Sequence, residues 1–174
     1  MTGAGLTDTF REAFRCHPAG VAVITADADG RPIALTVSSL ISVSAAPPVV
    51  AFSLSTRSTS AAPLLQAGTM VIHLLRYTDL DLARLGATPG ADRFPPGTPW
   101  ERLPTGEPRY TQVSTWFRAK VVGTLPLAGA TLVAAELLEG RAADPADTSE
   151  NQSLVYLDRR WHRLREELDG SSQT

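Results

Sequence analysis

Short runs of apolar and β-branched residues, separated by turn-forming residues, run through most of the chain. The clearest run is Val-Ala-Val-Ile-Thr at 21–25, and Asp-Ala-Asp-Gly at 27–30 then favours a hairpin turn. Further runs that predict strands lie at 33–44, 49–55, 69–75, 113–124, 131–138 and 154–164. Short turns join most of these runs, so the pattern predicts a mainly β protein with an antiparallel barrel rather than a doubly wound sheet.

Three segments predict short helices. Residues 9–12 have the capping-box form Thr-Phe-Arg-Glu, which predicts the start of an opening helix. Helical spacing of apolar residues also predicts helices at 60–66 and at 79–85, the second ending at Gly86. Residues 87–109 are rich in Pro, Gly, Thr and charge, which predicts a long loop that is functional or mobile.

Length and composition indicate a single domain. The 174 residues, 43% of them hydrophobic and 20% charged, predict one domain over 1–174, with a core at about 10–164 and a polar tail at 165–174. The net charge of −2 gives no broad basic surface for nucleic acid or anionic membranes. Cys16 is the only cysteine, and we expect a cytoplasmic protein with no membrane span and no internal disulfide.

Two hydroxyl-rich segments are the strongest candidates for a binding site. They are Thr-Val-Ser-Ser at 36–39 and Ser-Thr-Arg-Ser at 55–58. Hydroxyls and strand-end amides donate directional hydrogen bonds, and Arg57 adds a permanently charged fork that suits phosphate oxygens. The same hydroxyls could instead bond locally in turns and caps. The sequence has no glycine-rich phosphate loop and no dinucleotide fingerprint.

The histidines do not predict a metal or hydrolytic site. His17, His73 and His162 lie far apart in the sequence, without zinc-type spacing to one another or to a cysteine. No neighbouring residue would orient any of them as a general base, and the sequence has no nucleophile elbow. We therefore assign no catalytic side chain and no metal ligand from sequence.

The string Ala-Leu-Thr-Val-Ser-Ser-Leu-Ile-Ser-Val-Ser at 34–44, followed by Pro-Pro-Val-Val at 47–50, resembles the flavin reductase-like family. Further similarities follow in the family's order, at 55–58, 71–75, 79–85, 93–94, 116–117, 154–156 and 161–164. The resemblance covers about 10–164. It implies a mainly β fold, an FMN-binding split β-barrel with Greek-key-like antiparallel strands and a few short helices, in which FMN lies at a homodimer interface.

The resemblance also implies a set of cofactor-binding positions. They are Thr36, Val37, Ser38 and Ser39 around the flavin phosphate and ribityl chain, Ser53, Leu54 and Ser55 against the isoalloxazine ring, Arg57 and Ser58 as a phosphate clamp, and Arg93 and Phe94 on a loop that approaches the cofactor. For Val37 the implied contact is through the backbone.

The implied activity is reduction of FMN, or of FAD, by NADH or NADPH, with the reduced flavin passed to a flavin-dependent monooxygenase. One departure bears on this activity. The family commonly has Gly-Asp-His before the penultimate strand, and this chain has Ala130 at the histidine position. Alanine cannot donate a hydrogen bond or a proton, so the resemblance supports flavin binding more strongly than nicotinamide use. His73 likewise stands where the family usually has asparagine.

Two alternatives stay open from sequence. A split barrel can keep FMN as a prosthetic group for another substrate, as relatives similar to pyridoxamine-phosphate oxidase do, or it can bind flavin or haem without catalysis. For the homodimer, apolar strands such as 71–75 are expected to be exposed and to supply the contact between subunits.

Overall fold

A computed structural model describes residues 5–144 and 152–164, so the predicted polar tail at 165–174 lies outside the described residues. The described residues form three α-helices and twelve strands. The helices are α1 (Leu6–Arg15), α2 (Ala61–Ala67) and α3 (Leu80–Ala87). The strands are β1 (Ala19–Gly20), β2 (Ala22–Ala28), β3 (Arg31–Val37), β4 (Ile41–Ala45), β5 (Pro48–Ser55), β6 (Thr69–Leu74), β7 (Trp100–Arg102), β8 (Pro108–Tyr110), β9 (Trp116–Leu127), β10 (Ala130–Arg141), β11 (Leu154–Leu157) and β12 (Arg160–Arg163).

Seven strands form one antiparallel sheet in the order β3-β2-β6-β9-β10-β5-β4. β3 and β4 are the two edge strands of this sheet, and the chain passes directly from one to the other. The end of β3 therefore lies beside β4 and β5, which brings the two edges of the sheet together. Apolar side chains fill the enclosed space, among them Ile24, Phe52 and Met70, and α2 covers it with Leu64. Each such fully buried side chain contributes about 1.5–3 kcal/mol. The prediction of a mainly β antiparallel barrel is confirmed.

A second core cluster lies on the other side of β2 and β3. Val23 and Ala34 pack there against Leu82 of α3 and Tyr110 of β8. A small sheet of β1, β11 and β12 adds Leu154 to the same cluster. The run at 21–25 is therefore buried on both faces of the strand, an environment in which strands are continuously apolar.

The predicted strand at 33–44 is in fact two strands. β3 ends at Val37, and β4 begins at Ile41. Between them the Ser39 hydroxyl bonds to the backbone of Ser53, so this segment pairs through a side chain instead of continuing the ladder. Local side-chain bonding of this kind competes with regular pairing.

The predicted strand at 154–164 is also two strands, β11 and β12, joined by a tight turn. Asp158 and Arg159 form the turn with φ of 50° and 59°. Two residues in the left-handed region suit a hairpin, but the pair Asp-Arg lacks the glycine that usually marks such a turn in sequence. At 27–30 the glycine is present, and the predicted turn there is confirmed by positive φ at Asp29 and Gly30.

All three predicted helices exist, with different ends. α1 begins at Leu6, before the capping box proposed at 9–12, and its N-cap Gly5 makes no side-chain cap. Gly86 lies inside α3 rather than after it. Its lack of a side chain allows close packing there, because a Cβ would collide with the Thr36 hydroxyl. The predicted loop at 87–109 overlaps the short hairpin of β7 and β8, which ends at Tyr110.

The expectation that 71–75 forms an exposed dimer strand is wrong. β6 lies between β2 and β9, and Val71, Ile72, His73 and Leu75 are buried. Leu74 of β6 is 37% exposed, but the other exposed large apolar side chains of the sheet lie on β4, β9 and β10. None of the helices in residues 5–144 and 152–164 has the length and apolar character needed to cross a membrane.

Candidate functional site

A groove of about 870 Å³ opens beside the end of β3. Its inner side is formed by 38–41, at the crossing from β3 to β4, and by Ser53 of β5. Its outer side is formed by α1, by the segment 17–20 that follows it, and by the turn between β11 and β12. The groove therefore joins one of the two predicted hydroxyl segments to the start of the chain.

Ser39 fixes the inner wall of the groove. Its hydroxyl accepts a hydrogen bond from the Ser53 amide at 2.9 Å and donates one to the Ser53 carbonyl at 3.2 Å. This double contact joins the end of β3 to β5 where β4 has not yet begun. The Ser39 donor is thus used within the fold, and its proton is not available to a ligand.

Ser38 presents a free hydroxyl on this wall. It is exposed, lines the groove, and also lines a smaller cavity of about 190 Å³ with Thr36, Tyr156 and Trp161. Among the described residues the Ser38 side chain has no hydrogen-bond partner. The Thr36 hydroxyl, in contrast, donates to the Ala83 carbonyl of α3 at 2.8 Å.

The second hydroxyl segment forms a tight turn after β5. The Ser55 hydroxyl accepts a hydrogen bond from the Arg57 amide at 3.2 Å, and the Ser58 amide donates to the Ser55 carbonyl at 3.0 Å. The Arg57 guanidinium is exposed and makes no hydrogen bond or ion pair with any residue that the structure describes. The turn thus presents a free cation next to α2.

Arg93 lies close to the same turn. It lines a cavity of about 250 Å³ with Thr59 and Ser60, the residues that follow the turn. One of its guanidinium nitrogens donates to the Ala91 carbonyl, while its buried Nε has no partner among the described residues. A buried donor without a partner is costly. The Asp92 side chain also lines this cavity, and its carboxylate accepts a hydrogen bond from the Phe94 amide at 2.9 Å.

Tyr110 holds the Arg93 loop in place. Its hydroxyl donates to the Arg93 carbonyl at 2.7 Å, and burial raises the pKa of this hydroxyl, so it stays protonated as a donor. The Phe94 ring stacks on Tyr110 with centroids 5.1 Å apart and meets Trp100 edge-on at 4.9 Å. The Phe94 side chain is therefore engaged in the second core cluster.

Two further predicted positions have buried side chains. Val37 and Leu54 are 6% and 2% exposed and belong to the barrel core. They can offer only backbone groups to a ligand. The structure thus separates the predicted positions into three groups. Ser38, Ser53, Ser58 and Arg57 have free polar side chains, and Arg93 has one unpaired nitrogen, Nε. The hydroxyls of Thr36, Ser39 and Ser55 are engaged, and Val37, Leu54 and Phe94 are apolar residues of the interior.

Ala130 begins β10 at the tip of the β9–β10 hairpin. It pairs with Ser55, and the neighbouring Gly129 carbonyl accepts a hydrogen bond from the Thr56 amide at 3.1 Å. The position that carries a histidine in the family pattern is therefore adjacent to the turn at 55–58. The methyl group of Ala130 cannot donate a hydrogen bond there.

Sequence reasoning missed the outer wall of the groove. Phe10, Phe14 and Arg15 of α1 and Arg159 of the β11–β12 turn all line it. The only sequence signal was the apolar spacing of Phe10 and Phe14, which equally fits packing against a core. In the structure α1 buries none of its residues, and Phe10 and Phe14 both line the groove.

His73 is held inside the fold by two hydrogen bonds to the backbone. His73 Nδ1 bonds to the Val23 carbonyl at 3.1 Å, and its Nε2 accepts from the Tyr110 amide at 3.0 Å. Burial lowers the pKa of His73 to about 4, so it is a neutral structural residue. Within 5–144 and 152–164, no group of three His, Cys, Asp or Glu residues could hold a metal ion.

The chain matches a family model described as the flavin reductase like domain over residues 14–165. It is 36% identical over 154 residues to an NADH:FMN oxidoreductase of Rhodococcus qingshengii, an alignment that covers 88% of this chain and 80% of that protein. It is 32% identical over 157 residues to the FMN reductase (NADH) RutF of Methylorubrum extorquens, covering 89% and 74%.

Solved structures show the same fold. A flavin reductase domain protein from Arthrobacter sp. FB24 superposes with a TM-score of 0.86 at 29% identity, covering 95% of this chain and 99% of that one. The styrene monooxygenase flavin reductase of Pseudomonas putida S12 superposes with a TM-score of 0.77 at 26% identity, covering 91% and 99%. The architecture described above is thus the split barrel that the sequence resemblance implied.

Proposed function

This chain belongs to the flavin reductase-like family, and from that premise we propose that it reduces FMN with electrons from NADH. Both curated relatives compared above are named for FMN and NADH, and this supports FMN over FAD and NADH over NADPH. The observation that carries the proposal is a set of polar groups left without partners in the described chain. They are the Ser38 hydroxyl, the Arg57 guanidinium and Arg93 Nε.

These groups fit a molecule with a polar-edged ring at one end and a phosphate at the other. β3 passes from Ala34, which lines the Arg93 cavity, to the groove at Ser38. Four residues of strand span about 13 Å. In this proposal Arg57, Ser58 and Arg93 hold the phosphate, while Ser38 and Ser53 donate to the ring and its chain.

The chemistry that flavin supplies when bound is acceptance of a hydride from a nicotinamide ring. In this proposal the chain's own residues bind the flavin and orient it. Ser39 holds the inner wall rigid through Ser53, and Tyr110 holds the Arg93 loop through its buried hydroxyl. Hydride transfer requires no acid or base from the protein, so Ala130 does not exclude nicotinamide oxidation.

A homodimer belongs to this proposal. Residues opposite one another on neighbouring strands share a face, and the outer face of β4, β5, β10 and β9 carries Ile41, Leu132 and Leu125 together with Ser53. The three apolar side chains are 60%, 39% and 53% exposed. Because Ile41 and Ser53 also line the groove, a second subunit on this face would cover the inner end of the site.

A monooxygenase is the proposed consumer of the reduced flavin. The Pseudomonas putida relative is named as the flavin reductase of a styrene monooxygenase, which supports this role. The partner would be a separate protein that binds reduced FMN. The proposed location is the cytoplasm.

Steady-state NADH oxidation in air tests the proposal. The full chain is assayed with and without added FMN, with NADPH and FAD as the alternative substrates, after desalting to remove loosely held flavin. We expect NADH oxidation that depends on added FMN and saturates with it. Flavin that stays bound through desalting, without FMN-dependent oxidation, would instead indicate a prosthetic group that serves another substrate.

A further inference from the structure

His73 anchors the β7–β8 hairpin to the barrel through Tyr110. The Tyr110 amide can only donate, so His73 Nε2 accepts its hydrogen bond at 3.0 Å. The ring proton of His73 therefore lies on Nδ1, which donates to the Val23 carbonyl at 3.1 Å. Both side chains are fully buried, with ring centroids 5.5 Å apart. One neutral side chain thus connects β2, β6 and β8.

Two further contacts hold this hairpin against the large sheet. The buried Thr25 hydroxyl of β2 donates to the Pro108 carbonyl of β8. The buried Glu107 carboxylate, immediately before β8, accepts a hydrogen bond from Arg118 of β9 at 2.8 Å. Separating a buried ion pair is costly, because one charge is left without a partner. The end of β8 is therefore a firmly held point of the fold.

The segment 92–94 is attached to this firmly held point. The Tyr110 hydroxyl donates to the Arg93 carbonyl at 2.7 Å. The Phe94 ring lies almost parallel to the Tyr110 ring, with an angle of 8° between their planes. The backbone of Arg93 is thus fixed by a side chain 17 residues away in the sequence.

The Arg93 side chain extends from this backbone into the cavity of about 250 Å³. Its buried Nε has no partner in residues 5–144 and 152–164. A donor that is already ordered binds an acceptor with a smaller entropy loss than a mobile one. The Asp92 carboxylate lines the same cavity, so binding of an anion there depends on the guanidinium being in place to offset it.

We infer that Tyr110, anchored by His73, is a positioning residue that sets Arg93 for the flavin phosphate and so determines a preference for FMN over riboflavin. The inference rests on the proposed function, in which Arg93 holds the phosphate. Tyr110 lines neither the groove nor the Arg93 cavity, so it acts on the ligand through Arg93. Loss of its hydroxyl therefore affects binding of the phosphate and not of the ring.

Tyr110→Phe tests this role, because it removes the hydroxyl and keeps the ring that stacks on Phe94. Tyr77→Phe is the matched control, since Tyr77 packs against the same core cluster and its hydroxyl has no hydrogen-bond partner in the described chain. We expect Tyr110→Phe to bind FMN about 5-fold more weakly, as for loss of one hydrogen bond, and to bind riboflavin like the wild type. Quenching of flavin fluorescence measures both affinities. Equal weakening for FMN and riboflavin, or the same FMN affinity in both variants, would overturn the inference.

Arg93→Gln shows whether Tyr110 acts through Arg93. In the Arg93→Gln background, Tyr110→Phe should weaken FMN binding no further, because the group that it positions is gone. Fold-losses that multiply in the double variant would overturn the inference.

Hydrogen exchange of the Arg93 side chain in flavin-free protein separates this inference from the proposed activity. In protein labelled with ¹⁵N-arginine, we expect a slowly exchanging Nε–H signal that is absent in Arg93→Gln and exchanges faster in Tyr110→Phe. Equal exchange rates in Tyr110→Phe and the wild type would overturn the inference even if NADH is oxidised. The expected exchange and FMN affinities without NADH oxidation would support the positioning role and reject the proposed reductase activity.

Discussion

The Ser39 hydroxyl bonds to both the amide and the carbonyl of Ser53, at 2.9 and 3.2 Å, and so joins the end of β3 to β5. Its neighbour Ser38 has a free hydroxyl on the groove. Alanine substitution should therefore lower the stability of the protein at Ser39 and weaken ligand binding at Ser38. Ser39→Ala should lower the free energy of unfolding by about 1–2 kcal/mol, because two backbone groups lose their partner.

Ser38→Ala should leave the free energy of unfolding unchanged and weaken FMN binding about 3-fold to 10-fold, since only a ligand contact is lost. Urea unfolding measures the first quantity, and quenching of FMN fluorescence measures the second. Loss of stability in Ser38→Ala with normal FMN affinity would show that its hydroxyl serves the fold and not the ligand.

Arg57→Gln tests the phosphate end of the proposed flavin site. The free guanidinium should contribute to FMN binding through the phosphate, so the variant should bind FMN about 10-fold more weakly. Riboflavin has no phosphate, and its affinity should not change. Arg160→Gln, at an exposed arginine of β12 that lines neither the groove nor the Arg93 cavity, is the control. An equal loss for FMN and riboflavin would place Arg57 elsewhere than at the phosphate.

Gly86 allows α3 to pack closely on β3. A Cβ at this position would collide with the Thr36 hydroxyl and lie 3.2 Å from the Thr36 backbone nitrogen. We expect Gly86→Ala to lower the free energy of unfolding by about 2 kcal/mol, despite the better helix propensity of alanine. Gly123→Ala, where a Cβ meets nothing within 4 Å, is the control.

Thr36→Ala in the Gly86→Ala background should recover part of that loss, because the hydroxyl that collides is removed. The single Thr36→Ala change should itself be destabilising through the lost bond to Ala83. Strict additivity of the two changes in thermal or urea unfolding would argue against the contact between Gly86 and Thr36.

His73 should make the protein less stable in mild acid. A histidine in the unfolded chain binds a proton near pH 6.5, whereas burial holds the pKa of His73 at about 4. The unfolded state takes up the proton first, so stability falls as the pH drops from 6.5 to 4, by about 3 kcal/mol in total, and this contribution changes no further below pH 4.

The free energy of unfolding is measured with urea at several pH values between 7.5 and 4.5, for the wild type and for His73→Asn. The variant should show a shallower dependence of this free energy on pH. The histidine proton resonances of the wild type give an independent check that does not depend on the variant folding. A His73 resonance that titrates near pH 6.5 would contradict the account.

The general fold could be predicted from sequence because short runs rich in β-branched residues and bounded by turn residues, such as 21–25, favour buried strands. Element ends were less predictable where a tertiary contact decides them. Gly86 was expected to end a helix, but its lack of a side chain serves packing against Thr36. The turn at Asp158 and Arg159 lacks glycine and gave no signal.

The site could be predicted only in part for a similar reason. The segments 36–39 and 55–58 stood out by composition, but sequence could not tell the free hydroxyl of Ser38 from the engaged hydroxyl of Ser39. That difference depends on Ser53, which is distant in sequence. The wall formed by α1 and Arg159 joins the two ends of the domain, and no local pattern indicates such a contact.

Catalytic turnover of free flavin tests the central claim most directly. A small amount of the full chain is mixed without oxygen with excess FMN and excess NADH, and the visible absorbance of oxidised flavin is followed. The account predicts that FMN far in excess of the protein is reduced, with one NADH consumed for each FMN. Bleaching that stops at the amount of protein-bound flavin, or no bleaching with either NADH or NADPH, would contradict it.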